Sequence, residues 1–227
     1  MSAEFYLNKL YPLQDEVLKV ISGIPSKLYL TGGTALGRIY LQHRYSDNID
    51  LFLNRDKDFE TETRKVFDTL KENFTNVETP AQQENFARAL VKRNDVSLKI
   101  KFVNDVGYHA GDFQKSPIYH KVDNPLNILS NKLSALTREA GKDLADLIYL
   151  SKNFEFNWEK MIDDGRKKDM WVNEVDVSQK IYEFPTENLK ELNWIIQPDL
   201  GETAECQKII AKEILLGADN SLYRRKQ

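Results

Sequence analysis

GGTALGRIYLQHRYSDNIDLFL, Gly32 to Leu53, changes its periodicity halfway along. Ala35, Leu36, Ile39 and Tyr40 recur at helical spacing, whereas Ile49, Leu51 and Leu53 alternate with Asn48, Asp50 and Phe52 as on a half-buried strand. KLYL, Lys27 to Leu30, reads as a short strand just before it, so the order is strand, Gly-Gly turn, helix, strand. The alternation sorts the acidic residues. Asp47 and Asp50 are the visible carboxylates, yet they fall on opposite faces, and the residue that shares a face with Asp50 is Asn48. Bringing Asp47 onto that face takes a one-residue slip, which would bury Asp50 and expose three apolar side chains. Asp47 is therefore read as a turn or helix-facing residue.

Upstream, Leu13, Val17, Val20, Ile21 and Ile24 predict a helix with Pro12 in its first turn. Downstream, residues 57–73 predict a second helix. FARALVK and VSLKIKFV, on either side of Arg93-Asn94-Asp95, predict a hairpin. Val96, Leu98, Ile100 and Phe102 then face the core, with Ser97, Lys99 and Lys101 opposite. Asn124 and Pro125 supply an N-cap and first-turn proline for a helix carrying Leu126, Leu129, Leu133 and Leu136. Beyond it the pattern is mostly helical, with breaks at Pro185 and Pro198, and the chain carries no internal repeat or low-complexity tract. The predicted class is α+β: a mixed sheet with flanking helices over residues 1–122, then a helical domain over 123–227.

In 227 residues, 32 Lys and Arg stand against 35 Asp and Glu, so no overall cationic field marks a nucleic-acid binder and any such contact is local. The lone Cys206 excludes an internal disulfide. His43, His109 and His120 lack zinc-site spacing. No apolar run reaches the roughly 20 residues that span a bilayer, and a start containing Glu4 and Lys9 has no signal-peptide core. These features set the expectation of a soluble, cytoplasmic protein.

A Gly-Gly-Thr turn at the mouth of a helix offers unencumbered N–H groups and a hydroxyl to a phosphate, with Gly33 and Thr34 as the natural contacts. A Gly-Gly pair alone is more often an ordinary tight turn. The next strand strengthens the functional reading, because positions 48 and 50 lie side by side as a Mg²⁺-binding carboxylate pair would.

GGTAL (Gly32–Leu36) followed by HRYSDNIDLF (His43–Phe52) resembles the signature of the AbiEii/AbiGii toxin family of nucleotidyltransferases. KLSALTREAGKDLADLIYL (Lys132–Leu150) resembles that family's later helices. The resemblance implies a nucleotidyltransferase fold related to polymerase β, with the C-terminal helical domain completing the active-site cleft. It also implies a metal-dependent nucleotidyltransferase, the toxin half of a toxin–antitoxin or phage-defence pair. Such an enzyme takes an NTP with Mg²⁺ (or Mn²⁺), transfers a nucleotide to an RNA acceptor such as tRNA, and is countered by a cognate antitoxin. Carried over by position, Gly32, Gly33 and Thr34 lie at the triphosphate, and Ser46 lies beside the metal. Asn48 and Asp50 take the two metal-ligand positions. Lys132 matches a phosphate-directed lysine, Asp143 or Asp146 a functional aspartate, and Arg44 braces the turn or faces a phosphate.

Two positions depart from the pattern. Asn48 replaces the first metal-binding aspartate, and a neutral amide is a much weaker Mg²⁺ ligand than a carboxylate. Lys99 and Lys101 occupy the strand face where related enzymes often place a third carboxylate; they can grip phosphate but not a cation. Asn48 is open to three readings: an introduced change, a natural loss of catalysis, or a variant working through Asp50 alone. A catalytically inactive nucleotide-binding or partner-binding module is the competing function. Bland readings stand beside the others. Lys132 could be a solvated lysine at the edge of an apolar stripe, and Lys142 could pair with Asp146 for about 0.2–0.5 kcal/mol. His43 is assigned a structural role, Trp158, Trp171, Trp194, Tyr149 and Tyr182 packing, and the terminal YRRKQ a solvated end.

Overall fold

The computed structural model describes residues 1–224. Arg225, Lys226 and Gln227 of the YRRKQ end lie outside the described residues. Two compact units divide the chain: residues 1–39 with 45–123, and residues 40–44 with 124–227.

The first unit opens with α1 (Ala3–Phe5), a π-helical turn (Tyr6–Leu10) and α2 (Tyr11–Ser22). Pro12 sits in the first turn of α2, which continues directly from the π-helical turn, an irregularity in the hydrogen-bond ladder just ahead of the proline. β1 (Tyr29–Thr31) runs into α3 (Gly32–Ala35), which continues as a π-helical turn (Leu36–Tyr40). β2 (Asn48–Asn54), α4 (Phe59–Asn73), β3 (Val77–Gln83), β4 (Phe86–Arg93) and β5 (Val96–Asp105) follow.

Among the described residues the five strands form one mixed sheet in the order β1-β2-β5-β4-β3. β2 and β5 pair in parallel, and the other neighbours are antiparallel. Alternation places Ile49, Leu51 and Leu53 in the core with Ala87, Ala89, Val91, Leu98, Ile100 and Phe102. Phe67 of α4 meets Phe102 edge-on at 5.2 Å, so that helix covers the core face. Burying each of the three β2 side chains is worth about 1.5–3 kcal/mol, which rules out a register slip. The sequence reading had no counterpart for β3. Its Pro80 falls where the β3–β4 register shifts between Glu78 and Ala81, and an edge strand with a bulge is where a residue lacking an N–H is tolerated.

The second unit contains α5 (Pro125–Ala135) with a 3₁₀ turn (Leu136–Arg138), α6 (Gly141–Asn153), α7 (Trp158–Arg166) and α8 (Glu174–Glu183). A 3₁₀ turn (Thr186–Glu191), α9 (Leu200–Leu216) and α10 (Ser221–Arg224) complete it. The Asn124 side chain caps α5 by accepting from Asn127 N at 2.9 Å. The tryptophans pack as expected: Trp158 is fully buried and donates to Glu213, while Trp171 and Trp194 donate to the carbonyls of Ser134 and Leu189. Tyr182 does not pack, being 64% exposed. Among the described residues, no helix is long and apolar enough to cross a membrane.

Gly32 has φ +68°, and a Cβ there would lie 3.0 Å from Asp50 Oδ2. Gly32→Ala is expected to lower the unfolding free energy by about 1–2 kcal/mol from the left-handed backbone alone. Urea denaturation checks this; wild-type stability would contradict the assigned conformation.

Candidate functional site

In the first unit, β2 presents Asn48 and Asp50 on its half-exposed face. β5 sets Lys99 beside Asn48 and Lys101 beside Asp50 in register, and Lys101 Nζ lies 3.6 Å from Asp50 Oδ1. On the other side of β2, Thr31 is opposite Asp50, so Gly32 begins its turn directly against the Asp50 carboxylate. This close approach requires a residue without a side chain. Asp47 is exposed and accepts from the Tyr6 hydroxyl, away from the Asn48–Asp50 face.

Thr34 is fully buried, and its hydroxyl donates to the Asn48 carbonyl while lying 2.9 Å from Ser46 Oγ. Ser46 is also buried: its carbonyl accepts from Gln14 Nε2 at 2.9 Å, and its N–H donates to the Tyr11 hydroxyl at 3.2 Å. Both residues therefore fasten the Gly-Gly turn to the start of β2.

Among the described residues, no cluster of three or more His, Cys, Asp or Glu is arranged to hold a metal ion. Asp50 and the Asn48 amide oxygen offer two side-chain donors on one face. This set suits a hard cation that brings most of its oxygens with it, as Mg²⁺ on a triphosphate does.

In the second unit, Arg44, Lys132, Asp143 and Asp146 come together with His43. Asp146 is fully buried and accepts from Arg44 Nε at 2.7 Å and from a second guanidinium nitrogen at 2.6 Å, a bidentate pair. Lys132 Nζ is 2.6 Å from Asp146 Oδ2 and 2.7 Å from Asp143 Oδ1. Two cations thus balance two carboxylates. Lys132 is buried, which overturns its reading as a solvated lysine, and Asp146 sits inside the cluster instead of on a surface pair with Lys142. Asp143 and Asp146 stand one turn apart on α6, facing the last turn of α5, which carries Lys132.

Burial disfavours charge here, but the opposite charges prevail. It pushes the Asp146 carboxyl up, yet Arg44 and Lys132 hold it well below the usual carboxylate range. Burial likewise opposes the Lys132 ammonium, yet Asp146 and Asp143 raise it above its ordinary value. His43 goes the other way: burial lowers its pKa more than contact with Asp146 raises it. The neutral imidazole donates from Nε2 to Asp146 at 2.8 Å, while Nδ1 is buried without a hydrogen bond. The Asp143 Oδ2 atom is also buried without one.

Sequence reasoning missed a brace behind the turn. Thr31 Oγ1 donates to Asp123 Oδ2 at 2.6 Å, His109 Nε2 lies 3.0 Å from Asp123 Oδ1, and Asp123 N donates to the Leu30 carbonyl at 2.9 Å. Thr31 and Asp123 are far apart in sequence, and neither belongs to a local motif.

Removing the charge of Asp146 leaves Arg44 and Lys132 with too little compensation, so Asp146→Asn is expected to cost about 3–5 kcal/mol of stability at pH 7. The pH dependence has two windows. The unfolded chain protonates His43 near pH 6.5, before the folded chain does, so stability falls as pH drops below that value. The Asp146 contribution is present above about pH 3.9 and is lost below it, so the gap between variant and wild type narrows there. Urea titrations at pH 7 and at acid pH measure both effects.

A comparison with curated protein sequences finds no match. Among solved structures the chain is similar to JHP933 from Helicobacter pylori, with TM-score 0.64 and 18% identity, covering 100% of this chain and 97% of that one. It is also similar to a "putative nucleotidyltransferase from H. pylori", with TM-score 0.62 and 17% identity, covering 97% of this chain and 99% of that one. The fold is that of the nucleotidyltransferases. The family profile described as "Nucleotidyl transferase AbiEii toxin, Type IV TA system" matches residues 19–209. With most of its length matched, the chain belongs to the AbiEii family of nucleotidyltransferase toxins.

Proposed function

We propose that this protein transfers a nucleotide from an NTP to an RNA acceptor such as tRNA, with Mg²⁺ or Mn²⁺ as cofactor. Its activity is curbed by a cognate antitoxin, in a cytoplasmic toxin–antitoxin or phage-defence setting. The observation that supports this reading is the Asp50 carboxylate lying against Gly32, beside Asn48, so that the proposed phosphate cradle and the proposed cation ligands are neighbours.

The Gly32–Gly33 amides bind the triphosphate, with Lys99 as a further phosphate partner. The acceptor oxygen forms a bond to the α-phosphorus and gives up its proton, while the α–β bridging P–O bond breaks and pyrophosphate leaves. A divalent cation held at Asp50 and Asn48 supplies charge neutralisation at the phosphates. Within the second unit, Lys132, Asp143 and Asp146 belong to the buried charge-balanced cluster that fixes α5 on α6.

With Asn48 in place of a carboxylate, this form is impaired. Asn48→Asp is expected to increase nucleotidyl transfer from labelled NTP to total RNA and to make expression toxic. A silent Asn48→Asp protein would instead support an inactive nucleotide-binding or partner-binding module, a reading favoured by the Lys101–Asp50 ion pair. Asp50→Ala is expected to abolish Mg²⁺-assisted NTP binding. Calorimetry giving equal binding by variant and wild type would contradict the site assignment.

A further inference from the structure

On β2, β5 and β4, two adjoining rows of the open sheet face run Asp50–Lys101–Arg88 and Asn48–Lys99–Leu90. They carry one carboxylate and three cations. Glu78, opposite Leu90 on the edge strand β3, has its own partner in Lys92 at 2.5 Å. Lys101 is the cation nearest Asp50, at 3.6 Å, and both side chains are partly exposed, 30% for Lys101 and 22% for Asp50. Arg88 is stationed opposite Lys101 and lies over the Phe86 ring at 5.5 Å, with its Nε buried and without a hydrogen bond.

A bare divalent cation reaching this face meets a carboxylate already facing an ammonium, with Lys99 and Arg88 adding positive charge on the β5 and β4 side. Mg²⁺ sheds water reluctantly and gains little from such a site. A triphosphate has the opposite balance. Its oxygens give Lys101 and Lys99 new partners, and Asp50 is released to face a cation travelling on the phosphates.

We propose that Lys101 is a built-in counter-ion for Asp50 that couples nucleotide and divalent-cation binding: it weakens the hold of the face on a divalent cation until the nucleotide arrives. Lys101 is thus a positioning residue that exchanges Asp50 for phosphate when the NTP enters. The proposal rests on the nucleotidyl-transfer reading, and its test separates the two.

The full chain is titrated at low salt with Mn²⁺ alone, followed by electron paramagnetic resonance. It is then titrated with a non-hydrolysable NTP, with and without Mn²⁺, followed by calorimetry. Wild type is expected to bind Mn²⁺ alone about tenfold more weakly than Lys101→Gln does, because the variant unmasks the Asp50 charge. Lys101→Gln is expected to lose affinity for the metal-free nucleotide, while Lys101→Arg, which keeps the charge, tracks wild type in both titrations. Equal Mn²⁺ binding by wild type and Lys101→Gln would overturn the proposal. So would Lys101→Arg behaving like Lys101→Gln. If wild type bound no NTP under either condition, the nucleotidyl-transfer reading would fall. The Mn²⁺ comparison would still read the Lys101–Asp50 pairing by itself.

Discussion

Pairing of β2 with β5 in parallel register sets Asp50 beside Lys101 and Asn48 beside Lys99, because directly neighbouring residues on adjacent strands point to the same face. The hydrophobic half of the same two strands locks that register from below. Ile49, Leu51, Ile100 and Phe102 are fully buried, and a slip of one residue by either strand would bring that strand's buried pair to the surface. Core and site are therefore alternate sides of one constraint. Gly32, directly after β1, completes it, since its missing side chain lets the turn close on the Asp50 carboxylate.

Charge is handled differently in the two units. In the second, Asp146 is surrounded by Arg44, Lys132 and neutral His43 at hydrogen-bond distance, and the cluster is buried and balanced. Such an arrangement is strongly destabilised by loss of one member and contributes little when complete, which suits a device that fixes geometry. At the Asn48–Asp50 face of the first unit the charges are partly exposed, with Lys99, Lys101 and Arg88 around the one carboxylate of Asp50. That asymmetry favours an anionic ligand.

How much could be read beforehand followed from the range of the forces involved. The alternation of NIDLFL and VSLKIKFV, the Asn124 cap and the separation of Asp47 from the Asn48–Asp50 face are local, and the strands and cap stand where periodicity and capping put them. β3 was not legible: VETPAQQ contains a proline and little apolar alternation, and it is held as an edge strand by its partner β4. The burial of Lys132 was equally hidden, because on its own helix it looks solvated and its carboxylates arrive from α6. Thr34 and Ser46 drew notice through the resemblance. That their hydroxyls face one another and fasten the turn to β2 depended on a strand-to-turn contact that no spacing rule encodes.

Residues 40–44 belong to the second unit although the chain on both sides of them belongs to the first. Their anchors are the Arg44 and His43 bonds to Asp146 and the bridge between Arg44 and Trp194, all more than a hundred residues further along. Neither unit is thus a contiguous stretch that could be excised with clean ends. During synthesis the first unit can assemble its sheet once residue 123 has emerged, but this short internal strap must wait, holding a guanidinium without its carboxylate until α6 has been made. The order in which a ribosome delivers the chain therefore imposes a delay between forming the sheet and closing the second unit's charge cluster.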